Sequence, residues 1–468
     1  MKRFLRSKLI LSLIAFTIIG SITFAVLVQQ REAYAAAGDW QTFLFDNTRA
    51  GYDASETIIN RSTSPHLRLH WTHTTAATIS TEPVEANGMA YWGSWDGIEH
   101  ASRLSDGSDI WTANLGTTTG RCNSHPNGVA STANISSVLI GGVTTSVDFV
   151  GGGGNATFYA LNATTGAVIW QTMLSTQPGA YIWSSPAVFN NSIYIGLSSL
   201  GDCPLVQGQL LQLDASTGTV QHTFNFVPNG CLGATVWSSP TIDGQTGTVY
   251  VSTGNGGTCS TTETMADALV ALNATDLSLV GSWQIPLSQQ TTDGDFGASP
   301  TLFSATIGGV VHKMVGLINK NGIYYAFDRS NISAGTLWQK KLAAPASLGE
   351  NNISSSAWDG TSLYVSAART KIKGKSCKGS LQALNPASGA FLWQDCLSQN
   401  ALDPVIAVPG LAEIGDGTTL MMVNTSTGRR LFTFQDSNAN SNFWGPGSFS
   451  NGVLYEGNKD GKLYAFGT

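Results

Sequence analysis

The stretch ALNATTGAVIW, residues 160–170, and its near copy ALNPASGAFLW, residues 383–393, decide the fold. Variants of this turn recur seven times along the 468 residues, closing on Trp111, Trp170, Trp283, Trp338 and Trp393, with His222 and Phe432 in the same slot. Repetition of this kind marks a repeat architecture. An Asn or Asp followed by small residues and Gly suits a tight hairpin that needs positive φ. The runs before the turns, such as IYIGL (193–197), VYVST (249–253) and LYVSA (363–367), read as half-buried strands. Upstream of most turns stands an inner-strand signal: SSPAV (184–188), SSPTI (238–242), ASPTL (298–302) or SSSAW (354–358). The unit is therefore an antiparallel sheet of about four strands, repeated radially as a β-propeller blade.

An eighth aromatic slot occurs at Trp71 in LRLHWTHTT (67–75), without a hairpin turn before it, and LYAFGT (463–468) stops one strand short. Pairing these two ends completes one blade and leaves no open sheet edge at the seam. The expected fold is all-β, an eight-bladed propeller of four-stranded antiparallel blades over residues 38–468, as one domain. With 52 Gly and 12% charged residues, the composition suits many turns and flat contacts between blades.

Residues 1–37 differ in kind. Lys2, Arg3, Arg6 and Lys8 precede an apolar run from Leu9 to Val28, followed by AYAAAG. This reads as a secretory signal cleaved after Ala35 or Ala37, or else as a retained N-terminal membrane anchor; either puts the propeller outside the cytoplasm. The formal charge is −6, and cleavage after Ala35 leaves 19 basic against 29 acidic residues, a net −10. No basic stripe remains for nucleic acid. Six cysteines fit an oxidising compartment. Cys377 with Cys396, and Cys203 with Cys231, bracket hairpins and are expected to join outer strands of their blades; Cys122 and Cys259 are left to pair across a blade boundary or stay free. The absence of CxxCH argues against covalent haem, so any electrons leave to a separate carrier.

In a propeller the inner strand begins, and the second strand ends, on one face near the axis. In the fourth and fifth blades those places hold Trp237 before SSPTI, Asn255 ending VYVSTGN, Asp295 in DGDFGASPTL and Lys320 in VGLINKNG. A flat aromatic, an amide, a carboxylate and an ammonium can bind a planar anion and a hard cation. The structural alternatives are packing between blades for Trp237, a turn residue for Asn255, a loop cap for Asp295 and a solvated lysine for Lys320. Trp444 in FWGPGS is a candidate cover for the funnel, Trp183 reads as packing, and His125 as a loop residue.

Together these residues resemble the quinoprotein dehydrogenases, eight-bladed propellers that carry pyrroloquinoline quinone (PQQ). The wording is nearest to the polyvinyl-alcohol dehydrogenase branch, through DWQTFLFDNTRAGYDASETIIN (39–60) and YIWSSPAVFNNSIYIGLSSLGDCPLVQG (181–208). The resemblance implies that Trp237 floors the quinone and that Asn255 and Asp295 touch Ca²⁺. It also implies that Asp295 is the general base and that Lys320 stands beside the quinone carbonyls. It implies an alcohol or a hydroxylated polymer as substrate and a separate acceptor such as cytochrome c or a quinone. The chain departs from the family in three places. It has no adjacent cysteines to cover the quinone, so Cys122 or His125 of GRCNSHPNG (120–128) would have to serve. No Glu stands in VGGGGNATFYALN (150–162), where only Asn155 is near, and Asn127 occupies the place of an arginine. A noncatalytic binding or assembly propeller is the rival reading.

Overall fold

Alternating apolar residues in the repeats build eight sheets of four antiparallel strands among the described residues of a computed structural model. That structure describes residues 38–122, 125–259, 263–345, 352–439 and 441–468. The expected leader lies outside them. The blades span residues 84–114, 134–173, 187–225, 241–284, 301–341, 357–397 and 406–435; the eighth runs 448–467 and is completed by 68–74. In that last blade Arg68–Thr74 pairs antiparallel with Lys462–Gly467, the closure expected from the two unpaired ends. The third blade gains a short extra strand, Ala180–Tyr181.

The repeated turn does more than reverse the chain. The indole N–H of five of the closing tryptophans donates to a backbone carbonyl of the next blade: Trp71 to Leu104 at 2.9 Å, Trp111 to Ala163 at 2.8 Å, Trp170 to Ala215 at 3.1 Å, Trp338 to Pro386 at 2.8 Å and Trp393 to Thr425 at 2.6 Å. Those rings lie on Gly107, Gly166, Gly218, Gly389 and Gly428, where any Cβ would overlap the indole. The same glycines have φ of 65–72°, so both the turn and the docked ring call for glycine.

The inner-strand hydroxyls form a belt around the axis. Thr132 N–H donates to Ser185 Oγ (3.0 Å), Ser185 N–H to Ser239 (2.9 Å), Ser239 N–H to Ser299 (2.8 Å) and Ser299 N–H to Ser355 (2.9 Å). Small hydroxyl residues recur there because each one satisfies a buried amide of the preceding blade.

Residues 40–53 thread beneath the inner strands. Gln41, Asn47, Thr48, Ala50 and Gly51 accept through their carbonyls from Ile135, Ile242, Leu302, Trp358 and Ala407 in turn, at 2.7–3.0 Å. Arg49, fully buried, donates to the carbonyls of Pro240, Pro186 and Phe43 at 2.9, 3.0 and 2.6 Å.

Two of the expected cysteine pairings are corrected. Cys377–Cys396 forms as expected, but Cys203 pairs with Cys122 and Cys231 with Cys259. Cys231 follows the outer strand of the third blade and lies beside the fourth blade's 253–267 connection, where Leu232 N–H donates to Thr258 Oγ1 at 2.9 Å. These two bridges therefore run across blade boundaries. The expected Cys203–Cys231 pairing is replaced because each of the two cysteines is bonded to a partner across a blade boundary.

Candidate functional site

A cavity of about 680 Å³ near the axis is lined by Trp237, Asn255, Asp295, Lys320 and Trp444 among others, with Phe43 of the 40–53 segment also in its wall. All five candidate site residues thus meet. Trp237 immediately precedes the hydroxyl belt, and the Ser238 hydroxyl donates to Ser252 O at 3.0 Å, tying the entry of the inner strand to the end of the second. Asn255 follows the Thr248–Ser252 strand, Asp295 precedes Thr301–Ile307, and Lys320 follows Val310–Ile318.

Hydrogen bonds fix the cluster. Lys320 Nζ lies 2.9 Å from Asp295 Oδ2 and 2.7 Å from Asp293 Oδ1, and 5.3 Å from the centroid of the Trp237 ring. Asn255 N–H donates to Asp295 Oδ1 at 2.5 Å, while Asn255 Oδ1 accepts from Gly294 N–H at 2.9 Å. Asn319 Nδ2 holds the Asp295 carbonyl at 2.9 Å. Burial pulls the Lys320 ammonium toward a lower pKa, but the charges of Asp295 and Asp293 outweigh it and the amine is raised. Asp267, raised to about 7 by burial and then by the Asp295 charge, stands behind the cluster.

Trp444 lines the cavity, as expected for a cover, with Lys459 Nζ 4.5 Å over its ring. Trp183 packs on Tyr181 at 4.8 Å and also faces the cavity. Sequence reasoning missed Trp95, 5.9 Å from Trp183 and 6.1 Å from Trp444, and it missed Asp202. Both follow the second strands of their blades, the place that singled out Asn255 and Lys320, so the same rule applied to the first and third blades would have found them. Burial, and then the Asp295 charge, raise the Asp202 carboxyl. Asn155 is an exposed turn residue at φ 51°, His125 is exposed, and Asn127 is buried; none of the three lines the cavity. Cys203 directly follows the lining residue Asp202, so the Cys122–Cys203 bridge stands at the cavity mouth.

The residues fit a planar polyanion, with Trp237 as a flat face, Lys320 as a cation at its edge and room for a fused ring system. Asp293, Asp295 and Asn255 offer oxygen donors suited to a hard cation, although here Lys320 supplies the balancing charge.

Fold and cavity define an eight-bladed propeller with an axial aromatic, carboxylate and ammonium site. Residues 175–332 match the family model described as the beta-propeller domain of glucose/ethanol/alcohol dehydrogenase. The chain is 26% identical over 336 residues to a polyvinylalcohol dehydrogenase of Pseudomonas sp., covering 60% of this chain and 51% of that protein. It is also 26% identical over 376 residues to the outer membrane protein assembly factor BamB of Yersinia pestis, covering 79% and 80%. The solved quinohemoprotein alcohol dehydrogenase from Comamonas testosteroni shares the fold, with a TM-score of 0.78 at 19% identity over 93% of this chain and 81% of that one. These matches bear out the resemblance to the PQQ-dependent quinoprotein dehydrogenases. The chain spans about half the length of the curated dehydrogenases it matches.

Proposed function

We propose that this chain is an extracytoplasmic quinoprotein dehydrogenase that oxidises alcohols. The observation that carries this reading is the convergence of Trp237, Asn255, Asp295 and Lys320 in one cavity, with Lys320 Nζ poised between the Trp237 ring and the Asp295 carboxylate. PQQ, when bound, would supply an electron-poor carbonyl as the hydride acceptor for alcohol oxidation. Trp237 presents the flat apolar face on which the cofactor rests. Lys320 places its positive charge at the edge of that face, where negative charge grows. Asp295, buried and held at Oδ1 by Asn255 N–H and at Oδ2 by Lys320, receives the hydroxyl proton. Asn255 and Asp295 would hold the Ca²⁺ that such an enzyme uses. Trp95, Trp183 and Trp444 wall the mouth and exclude water. The substrate class is secondary alcohols, including those of hydroxylated polymers such as polyvinyl alcohol. Electrons pass to a separate cytochrome c or quinone. Three disulfides suit a secreted or periplasmic setting, and the N-terminal leader delivers or anchors the protein there.

A second reading, a noncatalytic scaffold, is favoured by one observation: the oxygens of Asp295 and Asn255 already have donors within the protein. Reconstitution with PQQ and Ca²⁺ decides. The dehydrogenase reading expects saturable quenching of tryptophan fluorescence, weakened at least about tenfold in Trp237→Ala. It also expects dye-linked oxidation of secondary alcohols that vanishes in Asp295→Asn while quenching persists. Folded protein that shows no quenching at saturating quinone makes the scaffold reading the right one.

A further inference from the structure

Away from the axial cavity, at the seam between the last and first blades, His73, His100 and Asp109 converge. His73 stands on the Arg68–Thr74 strand that completes the eighth blade; His100 and Asp109 stand on Ile98–Arg103 and Asp109–Asn114 of the first. His100 Nδ1 lies 3.1 Å from Asp109 Oδ1, and His73 Nε2 lies 3.8 Å from Asp109 Oδ2. One ligand atom from each residue falls within 4.8 Å of the other two. Tetrahedral coordination with metal–ligand bonds of about 2.0–2.1 Å separates ligand atoms by roughly 3.3 Å, near the 3.1 and 3.8 Å at which the two imidazoles approach the two different oxygens of the Asp109 carboxylate.

Surrounding contacts orient the three groups. His73 Nδ1 is 2.8 Å from Gly107 O, an atom that only accepts, so Nδ1 carries a proton and Nε2 is the nitrogen that faces the Asp109 carboxylate. A backbone carbonyl holding the far nitrogen is the usual support of a metal-bound histidine. Trp92 stacks flat on His100, with centroids 3.9 Å apart and planes at 1°, fixing the second imidazole. Ser102 Oγ donates to Asp109 Oδ1 at 3.0 Å and accepts from Trp92 Nε1 at 3.1 Å. The other clustered set, Cys231, Cys259 and Glu263, has its sulfurs joined in a disulfide and no thiolate to offer.

We propose that His73, His100 and Asp109 form a site for a divalent transition ion, with Zn²⁺ as the probe, that clasps the closing strand to the first blade. Two imidazoles and one carboxylate select Zn²⁺ or its neighbours over Ca²⁺, so this site is chemically separate from the oxygen-lined cavity. Gly107, which receives the docked Trp71 ring, also holds His73, so the ion reinforces the joint that closes the ring.

The test uses untagged, chelator-treated full chain in excess Ca²⁺, titrated with Zn²⁺ by calorimetry, with metal content after desalting and X-ray absorption of the bound ion. Expected are one equivalent of Zn²⁺ in a nitrogen and oxygen environment and thermal unfolding moved upward by Zn²⁺. His73→Asn, whose amide nitrogen takes the place of Nδ1 and keeps a donor for Gly107 O, and Asp109→Asn each weaken binding at least about tenfold and abolish the thermal shift while leaving the circular dichroism unchanged. No stoichiometric uptake by the wild type, equal affinity in both folded variants, or sulfur in the coordination shell overturns the proposal.

Discussion

Replacing Arg49 by Met tests whether the 40–53 segment is a structural part of the propeller. The guanidinium is fully buried and donates to the carbonyls of Pro240, Pro186 and Phe43, joining the third and fourth blades to the segment. Burial lowers the pKa of Arg49 to about 10, and the charges of Asp46 and Glu82 oppose that fall. Methionine restores much of the volume but leaves the carbonyls of Pro240, Pro186 and Phe43 without this donor. An unsatisfied buried polar group costs about 1–3 kcal/mol, so with partial relaxation the expected loss is about 3–5 kcal/mol in all. Arg49→Lys is expected to recover less than half of it, because a single ammonium cannot reach carbonyls in three directions as the planar fork does. Urea unfolding followed by tryptophan fluorescence measures the loss; where unfolding is irreversible, the unfolding rate serves instead. Proteolysis within residues 40–53 should quicken in parallel. A loss below about 1 kcal/mol, with the segment still protected, would refute the reasoning and reduce the segment to a passenger on the ring.

Two further perturbations separate effects that the sequence merges. Gly218→Ala places a Cβ against the Trp170 ring at φ 71°, whereas Gly247→Ala meets only a φ of 65° with open space around it. The first is expected to cost about 2 kcal/mol or more and the second about 1 kcal/mol, and equal costs in denaturant unfolding would show that the docked ring adds nothing. Asp148 is buried between strands, and burial pushes its carboxyl up to about 8; Glu99 is raised by burial and then by the Asp148 charge. The unfolded chain ionises near pH 4 while the folded chain keeps its proton to about pH 8, so stability falls as pH rises through that window and levels off above it. Asp148→Asn should flatten the fall between pH 5 and pH 7 by about 1–3 kcal/mol, and an unchanged pH profile would mean that this carboxyl ionises freely in the fold.

The parts of this molecule that were legible in its sequence are those encoded locally and repeated. ALNATTGAVIW shows its turn, its strand and its closing tryptophan within eleven residues, and seven variants of it define the ring. The two chain ends were matched because Trp71 and LYAFGT each lacked a partner that the other supplies. What escaped was non-local. The glycine of the turn was explained by φ alone because the indole that lies on it comes from the preceding blade. The belt from Thr132 to Ser355 is invisible in any single SSP motif, since each hydroxyl serves an amide about fifty residues upstream. Hairpin bracketing misplaced Cys203 for the same reason: sequence distance measures position along a blade and not the gap between blades. The site obeys the same division. A positional rule found Trp237, Asn255, Asp295 and Lys320, yet it gave no sign that Lys320 would lie between Asp293 and Asp295. That pairing bears on the chemistry. A buried ammonium flanked by two carboxylates offsets one of their two charges, so a divalent cation entering here would compete with Lys320 for Asp295 oxygen, and raising Ca²⁺ should shift the lysine toward the Trp237 ring. If the proposed site takes Ca²⁺, quinone affinity read by tryptophan quenching should rise with Ca²⁺ in the wild type but not in Lys320→Met, and equal responses in both would remove Lys320 from any link between the two ligands.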